Sequence, residues 1–266
     1  MSWVSRVVDR MWPPKWLYRT YERSVMGQLD KGSMPHHVAV LADGNRRWAR
    51  MNAPGQPLVA GYQAGAAKLL EFVEWCEETG IEVITLWVLS TDNLGRTKDG
   101  ELEPLLEVID QLVRDLAARR RWRVQVVGAL DLLEEKWAES LRTSAESTAG
   151  ISGMTVNVAV AYGGRQELRD AVRSLLAEKA DEGATLGDVA QTLEIDQISE
   201  HLYTKGQPDP DLIIRTSGEQ RLSGFLLWQS AHSEYYFCEA LWPDFRRVDF
   251  VRALRAYSQR ERRFGR

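Results

Sequence analysis

Cysteine and histidine are scarce in this sequence of 266 residues, which contains two cysteines and four histidines. Cys76 and Cys238 lie far apart within apolar stretches, a pattern typical of free thiols in a reducing compartment rather than of a disulfide framework. The histidines, at positions 36, 37, 201 and 232, are too few for a histidine-rich zinc site. We therefore expect neither a disulfide scaffold nor a zinc enzyme, and we predict a cytoplasmic protein.

Long apolar runs and several common catalytic motifs are also missing. No run approaches the roughly 18 apolar residues that suggest a membrane span, and we expect no signal peptide at the N-terminus. The sequence contains no Walker A loop, no Gly-x-Gly-x-x-Gly, no His-Glu-x-x-His and no Gly-x-Ser-x-Gly. These absences exclude the commonest nucleotide-binding, zinc-protease and serine-hydrolase patterns.

An excess of positive charge is lacking as well, because the formal net charge is −4. The one dense basic cluster, at residues 119–123, is typical of a solvated helix end, where cations suit the helix dipole. We therefore expect no nucleic-acid partner. A hydrophobic content of 44% and a charged content of 27% are ordinary for a globular protein, and the length favours one enzyme-sized domain.

Strand-like and helix-like segments alternate along most of the chain. Short apolar runs rich in β-branched residues predict strands at 38–42, 81–89, 123–127, 155–161 and 212–214. Apolar residues at helical spacing predict helices at 61–79, 101–120, 132–147, 165–180 and 248–260. This alternation predicts an α/β fold, a single layered domain over residues 35–266 with a mostly parallel sheet flanked by helices.

Residues 1–34 have a different pattern and form a predicted N-terminal amphipathic segment. Trp3, Trp12 and Trp16 lie among Arg6 and Arg10, and tryptophan beside arginine suits a membrane interface. Two interpretations remain open. The segment either packs on its own protein or a partner subunit, or makes a peripheral contact with the inner face of the membrane.

Polar residues follow three of the predicted strands directly, in the loops 43–48, 90–96 and 215–223. Free backbone N–H groups at a helix start, together with arginine, favour a phosphate. A carboxylate such as Asp43 would repel a bare phosphate. Its presence in this loop is therefore explained if a metal ion lies between the carboxylate and the phosphate. The alternative is that these are solvated turns, with Asp43 as a helix N-cap.

Four stretches of sequence carry a family resemblance. They are Asp-Gly-Asn-Arg-Arg-Trp-Ala at 43–49, Ser-Thr-Asp-Asn at 90–93, Ala-Tyr-Gly-Gly-Arg at 161–165, and the stretch from Asp211 through Glu234 to Leu-Trp-Pro-Asp-Phe at 241–245. Together, in this order, they resemble the cis-prenyltransferases, the undecaprenyl diphosphate synthase family. The resemblance implies condensation of isopentenyl diphosphate with an allylic diphosphate, Mg²⁺ as cofactor, a homodimer and a hydrophobic tunnel.

The resemblance also implies roles for the residues nearest the reacting atoms. Asp43 would be the catalytic aspartate that places Mg²⁺ on the allylic diphosphate, and Glu234 matches the family's second acidic position near the metal. Ser90 and Asn93 would line the reacting centre. The base that removes the last proton stays open among Asn45 with a water, Ser90, and the pyrophosphate itself.

A larger set of residues would bind the substrates. Those implied around the allylic diphosphate are Gly44, Asn45, Arg46, Arg47 and Trp48, with Arg96 as a further substrate-binding residue. Those implied around isopentenyl diphosphate are Arg215, Arg221 and Ser223, joined by Arg263 and Gly265 from the neighbouring subunit.

The sequence departs from the family pattern in ways that bear on product length. Leu58 and Tyr62 stand where the family usually has arginine and histidine, and Leu94 stands where it has tryptophan. These departures resemble the short-chain subgroup, which extends geranyl diphosphate once to Z,E-farnesyl diphosphate. Val88 lies at the position where that subgroup tends to have leucine and long-chain members alanine. The alternatives are a long-chain decaprenyl or undecaprenyl synthase for a cell-wall lipid carrier, and a non-catalytic subunit of a heteromeric synthase.

Overall fold

The computed structural model describes Gly27 and residues 31–259, with the backbone alone for Lys31 and residues 96–99. Within these residues the strands and α-helices follow one another in this order: β1 (His37–Leu41), α1 (Asn45–Asn52), α2 (Val59–Glu78), β2 (Val83–Trp87), α3 (Leu102–Ala118), β3 (Arg123–Val127), α4 (Glu135–Glu146), β4 (Thr155–Ala159), α5 (Gly164–Asp181), α6 (Leu186–Thr192), α7 (Ile195–Ser199), β5 (Leu212–Arg215), β6 (Glu234–Phe237) and α8 (Arg247–Ser258). Most of the segment 1–34 lies outside the described residues.

The strands form one six-stranded sheet in the order β3-β4-β2-β1-β5-β6, and every neighbouring pair is parallel. The predicted α/β architecture is therefore confirmed. The chain leaves β1 for β2 on one side and later returns to β5 on the other, so the strand order reverses beside β1. In open parallel sheets ligands bind at such a switch point, outside the carboxyl ends of the strands.

Alternate residues of each strand contact two different apolar cores. Val38 and Val40 of β1 belong to the larger core, which α2, α3 and α8 cover, whereas Ala39 and Leu41 face a smaller one around Phe225. All five residues of β1 are buried, as expected of a strand covered on both faces. The sheet is thus a rigid platform for the loops at its carboxyl edge.

Two predicted strands end earlier than the apolar runs that predicted them. β2 ends at Trp87 and β4 at Ala159. The backbone N–H groups of Val88 and Leu89 both donate to the Ala159 carbonyl, at 3.1 and 3.3 Å, so the chain bends there. As a result Leu89 packs in the same core as Leu86, although a continued strand would send the two side chains to opposite faces.

A row of polar side chains crosses the sheet on the face of the smaller core. His37 Nδ1 lies 2.7 Å from the Pro208 carbonyl oxygen, which can only accept, so Nδ1 carries the hydrogen and Nε2 accepts from the Thr85 hydroxyl at 2.9 Å. Asn157 donates to Thr85 and to Gln207. Burial lowers the pKa of His37 from 6.5 to about 4, so the imidazole is neutral in the folded protein.

No helix in the described part of the chain is long and apolar enough to cross a membrane. Cys76 is buried and Cys238 is partly buried, and both are free thiols, as predicted.

Candidate active site

A cleft of about 500 Å³ opens at the carboxyl edge of the sheet, beside β1. Polar side chains from the three predicted loops line its mouth, and apolar side chains of α2 and α3 line its walls. The main mouth residues are Asp43, Asn45, Arg46, Arg47, Tyr62, Ser90, Asn93, Arg215, Arg221 and Ser223; the wall includes Ala66, Leu69, Val88, Leu105, Ile109 and Leu112. A charged mouth on an apolar interior suits a ligand with an ionic head and a hydrocarbon tail.

The first mouth loop follows β1, and its backbone requires glycine at position 44. Gly44 has φ of 109°, and a Cβ there would meet the Leu241 side chain at 2.9 Å. Gly44 is the N-cap of α1 and no side chain caps the helix, so Asp43 is not an N-cap. Its Oδ2 instead accepts a hydrogen bond from Arg215 Nη2 at 2.7 Å.

Arg215 joins two of the mouth loops. Its side chain is 5% exposed, whereas that of Asp43 is 44% exposed. Besides Asp43, it donates through Nη1 to Ser223 Oγ at 3.1 Å. Thr216 adds a second link, because its hydroxyl donates to the Asp43 carbonyl at 2.8 Å. A buried arginine of this kind is fixed in direction, since its charge must remain paired.

The loop after β5 turns sharply and presents a second arginine to the cleft. Ser217 and Gly218 both have φ of 73°, in the left-handed region. Arg221 is 69% exposed and pairs with Glu219, which also lies 3.8 Å from Arg47. Two cations therefore face the cleft with one carboxylate between them, an arrangement that a bound anion would complete.

Ser90 and Asn93 lie at the opposite side of the mouth. Ser90 Oγ accepts from the Asn93 backbone N–H at 3.2 Å, and Ser90 pairs with Tyr162 across the ends of β2 and β4. Asn45 is held more tightly. Its Nδ2 donates to the Ala42 carbonyl at 2.9 Å, and its buried Oδ1 lies against α2, where a Cβ at Gly65 would come within 2.3 Å of it.

The loop after β5 is braced from below by a buried polar cluster. Gly164 N–H donates to the Gly224 carbonyl at 2.9 Å, and a Cβ at Gly164 would lie 2.4 Å from that oxygen. Glu167 accepts from the Tyr162 hydroxyl and, at 3.0 Å, from Gln229. Burial raises the pKa of the Glu167 carboxyl. Each contact holds the floor of the site without reaching the cleft.

Two predicted site residues lie elsewhere. Trp48 is not among the residues that line the cleft, because its indole N–H donates to Asp244 at 2.8 Å. Glu234 pairs with Leu212 at the amino end of β5, while Arg215 marks the carboxyl end. Three residues of strand, about 10 Å, therefore separate Glu234 from the edge that carries Asp43. A metal ion shared by these two carboxylates within one chain does not fit this geometry.

Three predicted residues lie, wholly or in their side chains, outside the described part of the chain. Only the backbone of Arg96 is described, in a 3₁₀ segment (Thr91–Asp99), and Arg263 and Gly265 lie outside the described residues. The sequence analysis also missed contributors. Arg46 donates to Glu101, which also accepts from the hydroxyl of Tyr62. The only sign of this cluster in the sequence was that Tyr62 departs from the family pattern.

Comparison with known proteins identifies the family. Residues 41–265 match the family model described as "Putative undecaprenyl diphosphate synthase". The (2Z,6E)-farnesyl diphosphate synthase of Thermobifida fusca is 57% identical, covering 94% of this chain and 97% of that protein. Isoprenyl transferase 1 of Streptomyces avermitilis is 55% identical, covering 94% and 96%.

A solved structure agrees with these relatives. Lavandulyl diphosphate synthase from Lavandula x intermedia, in complex with dimethylallyl diphosphate, superposes with a TM-score of 0.80 at 32% identity, over 88% of this chain and all of that one. The sequence matches and the structural match thus indicate the same family over nearly the whole chain. The chain belongs to the undecaprenyl diphosphate synthase family and is a prenyltransferase.

Proposed function

We propose that this chain condenses isopentenyl diphosphate with geranyl diphosphate to give Z,E-farnesyl diphosphate and pyrophosphate. The observation that carries the proposal is the Asp43–Arg215 ion pair, which lies at the charged mouth of a cleft with apolar walls. The names of relatives support the same product, since a protein that is 57% identical to this chain is a (2Z,6E)-farnesyl diphosphate synthase. Family membership alone leaves the product open, so the product is part of the proposal.

The two diphosphates occupy opposite sides of the Asp43 loop in this proposal. The allylic diphosphate lies on the first turn of α1, with Gly44, Arg46 and Arg47, and its hydrocarbon extends between α2 and α3. Isopentenyl diphosphate lies on Arg215, Arg221 and Ser223. This division is supported by the packing of α1 against α2, where a Cβ at Gly61 would meet Asn45 and Ala49, and by the apolar residues that α2 and α3 contribute to the cleft.

Five bond changes make up the reaction: the allylic C–O bond, the isopentenyl double bond and a C–H bond break, and a C–C bond and a new double bond form. The allylic C1–O bond breaks and its electron pair leaves on pyrophosphate. The double bond of isopentenyl diphosphate attacks C1 through its terminal carbon and forms the new C–C bond. A C2 proton is then lost, and its electrons form the new double bond, in the cis configuration. Arginines and backbone N–H groups fixed beside the leaving group stabilise its growing charge where water is excluded.

Ser90 is the better placed of the two side chains considered for the final deprotonation. Its hydroxyl lies at the mouth and accepts from Asn93 N–H. Asn45 donates from Nδ2 to the carbonyl of Ala42, the residue before Asp43, while its Oδ1 is buried against α2 and has no hydrogen-bond partner among the described residues. We assign Asn45 to holding the loop that carries Asp43, and proton removal to Ser90 or to the departing pyrophosphate.

Mg²⁺ is the cofactor in this proposal, and Asp43 is the residue that would hold it. The described residues contain no group of three or more His, Cys, Asp or Glu side chains able to bind a metal. A single half-exposed carboxylate, that of Asp43, fits Mg²⁺, which is commonly bound by one or two carboxylates together with substrate phosphates and water. When bound, Mg²⁺ neutralises charge on the departing pyrophosphate.

We further propose a cytoplasmic homodimer with no nucleic-acid partner, in which Arg263 and Gly265 of one subunit complete the isopentenyl site of the other. Peripheral membrane contact through residues 1–34 remains part of the proposal, since those residues carry the tryptophan and arginine pattern. Sedimentation in the presence and absence of anionic vesicles measures the subunit number and the membrane contact together.

The experiment that tests the function uses purified protein, Mg²⁺, labelled isopentenyl diphosphate and one primer at a time. The primers are geranyl, farnesyl and geranylgeranyl diphosphate, and chromatography sizes each product. We expect geranyl diphosphate to give the fastest turnover and a product one unit longer. A ladder of long products would favour the long-chain synthase, and no turnover with any primer would favour the non-catalytic subunit.

A further inference from the structure

Three side chains from three different elements meet at the cleft mouth and form what we call the Glu101 cluster: Arg46, Tyr62 and Glu101. Arg46 is the second residue of α1, Tyr62 lies in the first turn of α2, and Glu101 immediately precedes α3. Arg46 Nη2 donates to Glu101 Oε1 at 3.0 Å, and the Tyr62 hydroxyl donates to Oε2 at 3.3 Å. One carboxylate therefore ties together the elements that enclose the mouth.

The members of the cluster differ in their access to the cleft. Arg46 and Tyr62 line it, whereas Glu101 is not among the lining residues. The side chain of Glu101 is 17% exposed and that of Arg46 is 33% exposed. A carboxylate with so little exposure needs a paired cation. Glu101 thus acts on the cleft through Arg46 rather than by direct contact.

Arg46 retains unused donor capacity. Among the described residues, Glu101 is the one residue that accepts a hydrogen bond from its guanidinium, and Arg46 Nε is buried without a partner. A guanidinium has five N–H donors in a rigid fork, so it can bond a carboxylate and still present donors to a phosphate. Fixing one edge of the fork on Glu101 reduces the freedom that Arg46 loses when an anion binds.

The residues at the start of α2 explain why Arg46 has to be held in place. Leu58 and Tyr62, at the start of α2, are both uncharged. Tyr62 has no positive charge to offer, and its hydroxyl faces Glu101. Arg46, at the start of α1, is the cation that shares the Glu101 carboxylate with Tyr62.

We propose that Glu101 is a positioning residue that, together with Tyr62, holds Arg46 in place to bind the allylic diphosphate. The inference rests on the proposed function for the identity of the substrate. It predicts selectivity for one of the two substrates, because Arg215 and Arg221 bind the other on the far side of Asp43. It also predicts no effect on product length, because the cluster lies at the mouth and not among the deeper wall residues.

The test measures binding by calorimetry, with geranyl diphosphate and isopentenyl diphosphate titrated separately. Glu101→Ala should weaken geranyl diphosphate binding about tenfold, the loss of roughly one charge-assisted contact, and change isopentenyl diphosphate binding less than about twofold. Glu101→Gln should recover most of the affinity, because its amide oxygen still accepts from Arg46. Tyr62→Phe keeps the buried ring and should weaken geranyl diphosphate binding roughly threefold.

The matched control is Glu103→Ala. Glu103 lies in the same helix start but is 48% exposed and pairs with Lys136, away from the cleft, so neither affinity should change. Because Glu101 acts through Arg46, the double variant of Arg46→Ala and Glu101→Ala should bind no more weakly than Arg46→Ala alone.

Equal losses for both ligands, no loss in Glu101→Ala and Tyr62→Phe, or additive losses in the double variant would overturn the inference. The wild-type primer assay separates this failure from that of the proposed function. A wild type that binds geranyl diphosphate but forms no product would contradict the function alone, while the binding differences would still decide the role of Glu101.

Discussion

Arg215 and Arg221 are assigned to the same substrate, but their surroundings differ so strongly that one pair of variants tests the site. We consider Arg215→Met and Arg221→Met, which keep an unbranched chain and remove the guanidinium. The Arg215 side chain is 5% exposed and bonds Asp43 and Ser223, whereas that of Arg221 is 69% exposed. Only the first substitution should therefore alter the folded protein as well as the binding site.

The stability effect follows from the contacts that each variant loses. Arg215→Met removes two hydrogen bonds, each contributing on the order of 1 kcal/mol net. Asp43 is 44% exposed and can be hydrated in the variant, so the loss stays below the 3–5 kcal/mol typical of breaking a fully buried pair. We expect the free energy of unfolding to fall by about 2 kcal/mol. Arg221→Met should change it by less than about 0.5 kcal/mol.

Binding should be affected in both variants. Losing a charge-assisted contact to a phosphate should raise the KM for isopentenyl diphosphate at least about tenfold in each, with a much smaller rise for the allylic primer. Urea unfolding and steady-state kinetics with one substrate varied at a time supply the two measurements. Equal destabilisation by the two variants would refute the argument from burial, and a rise confined to the primer would mean that the two substrate sites are exchanged.

Three further predictions concern catalysis, product length and pH. Asp43→Asn should lower the initial rate at least about 100-fold, since it removes the carboxylate assigned to Mg²⁺ while its amide oxygen can still accept from Arg215. Val88→Ala should shift products towards longer chains and Val88→Leu should confine them to farnesyl length, as sized by chromatography; identical profiles would assign length control to α2 and α3. Because His37 titrates at about 4 when folded and 6.5 when unfolded, stability should fall as the pH drops through that window, by about 3 kcal/mol at about 1.36 kcal/mol per pKa unit. Urea unfolding at several pH values should show that His37→Gln loses this pH dependence of the free energy of unfolding. The variant of the exposed neighbour, His36→Gln, should retain it.

The sheet and the place of the site follow from the sequence because they depend on local signals. Apolar runs predict strands wherever both faces of the sheet are covered, as along β1. Parallel strands bring their carboxyl ends to one edge, so the loops at 43, 90 and 215 must meet. The edge strand β6 was not predicted, because its Glu-Tyr-Tyr-Phe sequence is short and largely half-exposed and lacks the β-branched residues that indicated the other strands.

The contacts inside the site could not be predicted, because they join residues that are distant in sequence. Arg215 and Asp43 are 172 positions apart, and the direction of Trp48 depends on Asp244, 196 positions away. The position of Glu234 depends on the register between β5 and β6, which decides the end of the sheet at which it lies. Sequence pattern fixes neither a register nor a long-range partner.

The most direct test of the central claim is the configuration of the double bond that this chain makes. Purified protein with Mg²⁺, geranyl diphosphate and isopentenyl diphosphate labelled at C2 should release a single product, whose dephosphorylated alcohol is analysed by nuclear magnetic resonance. The account predicts Z,E-farnesol, with the newly formed bond cis, and its loss in Asp43→Asn. A trans bond, or full activity in Asp43→Asn, would contradict it.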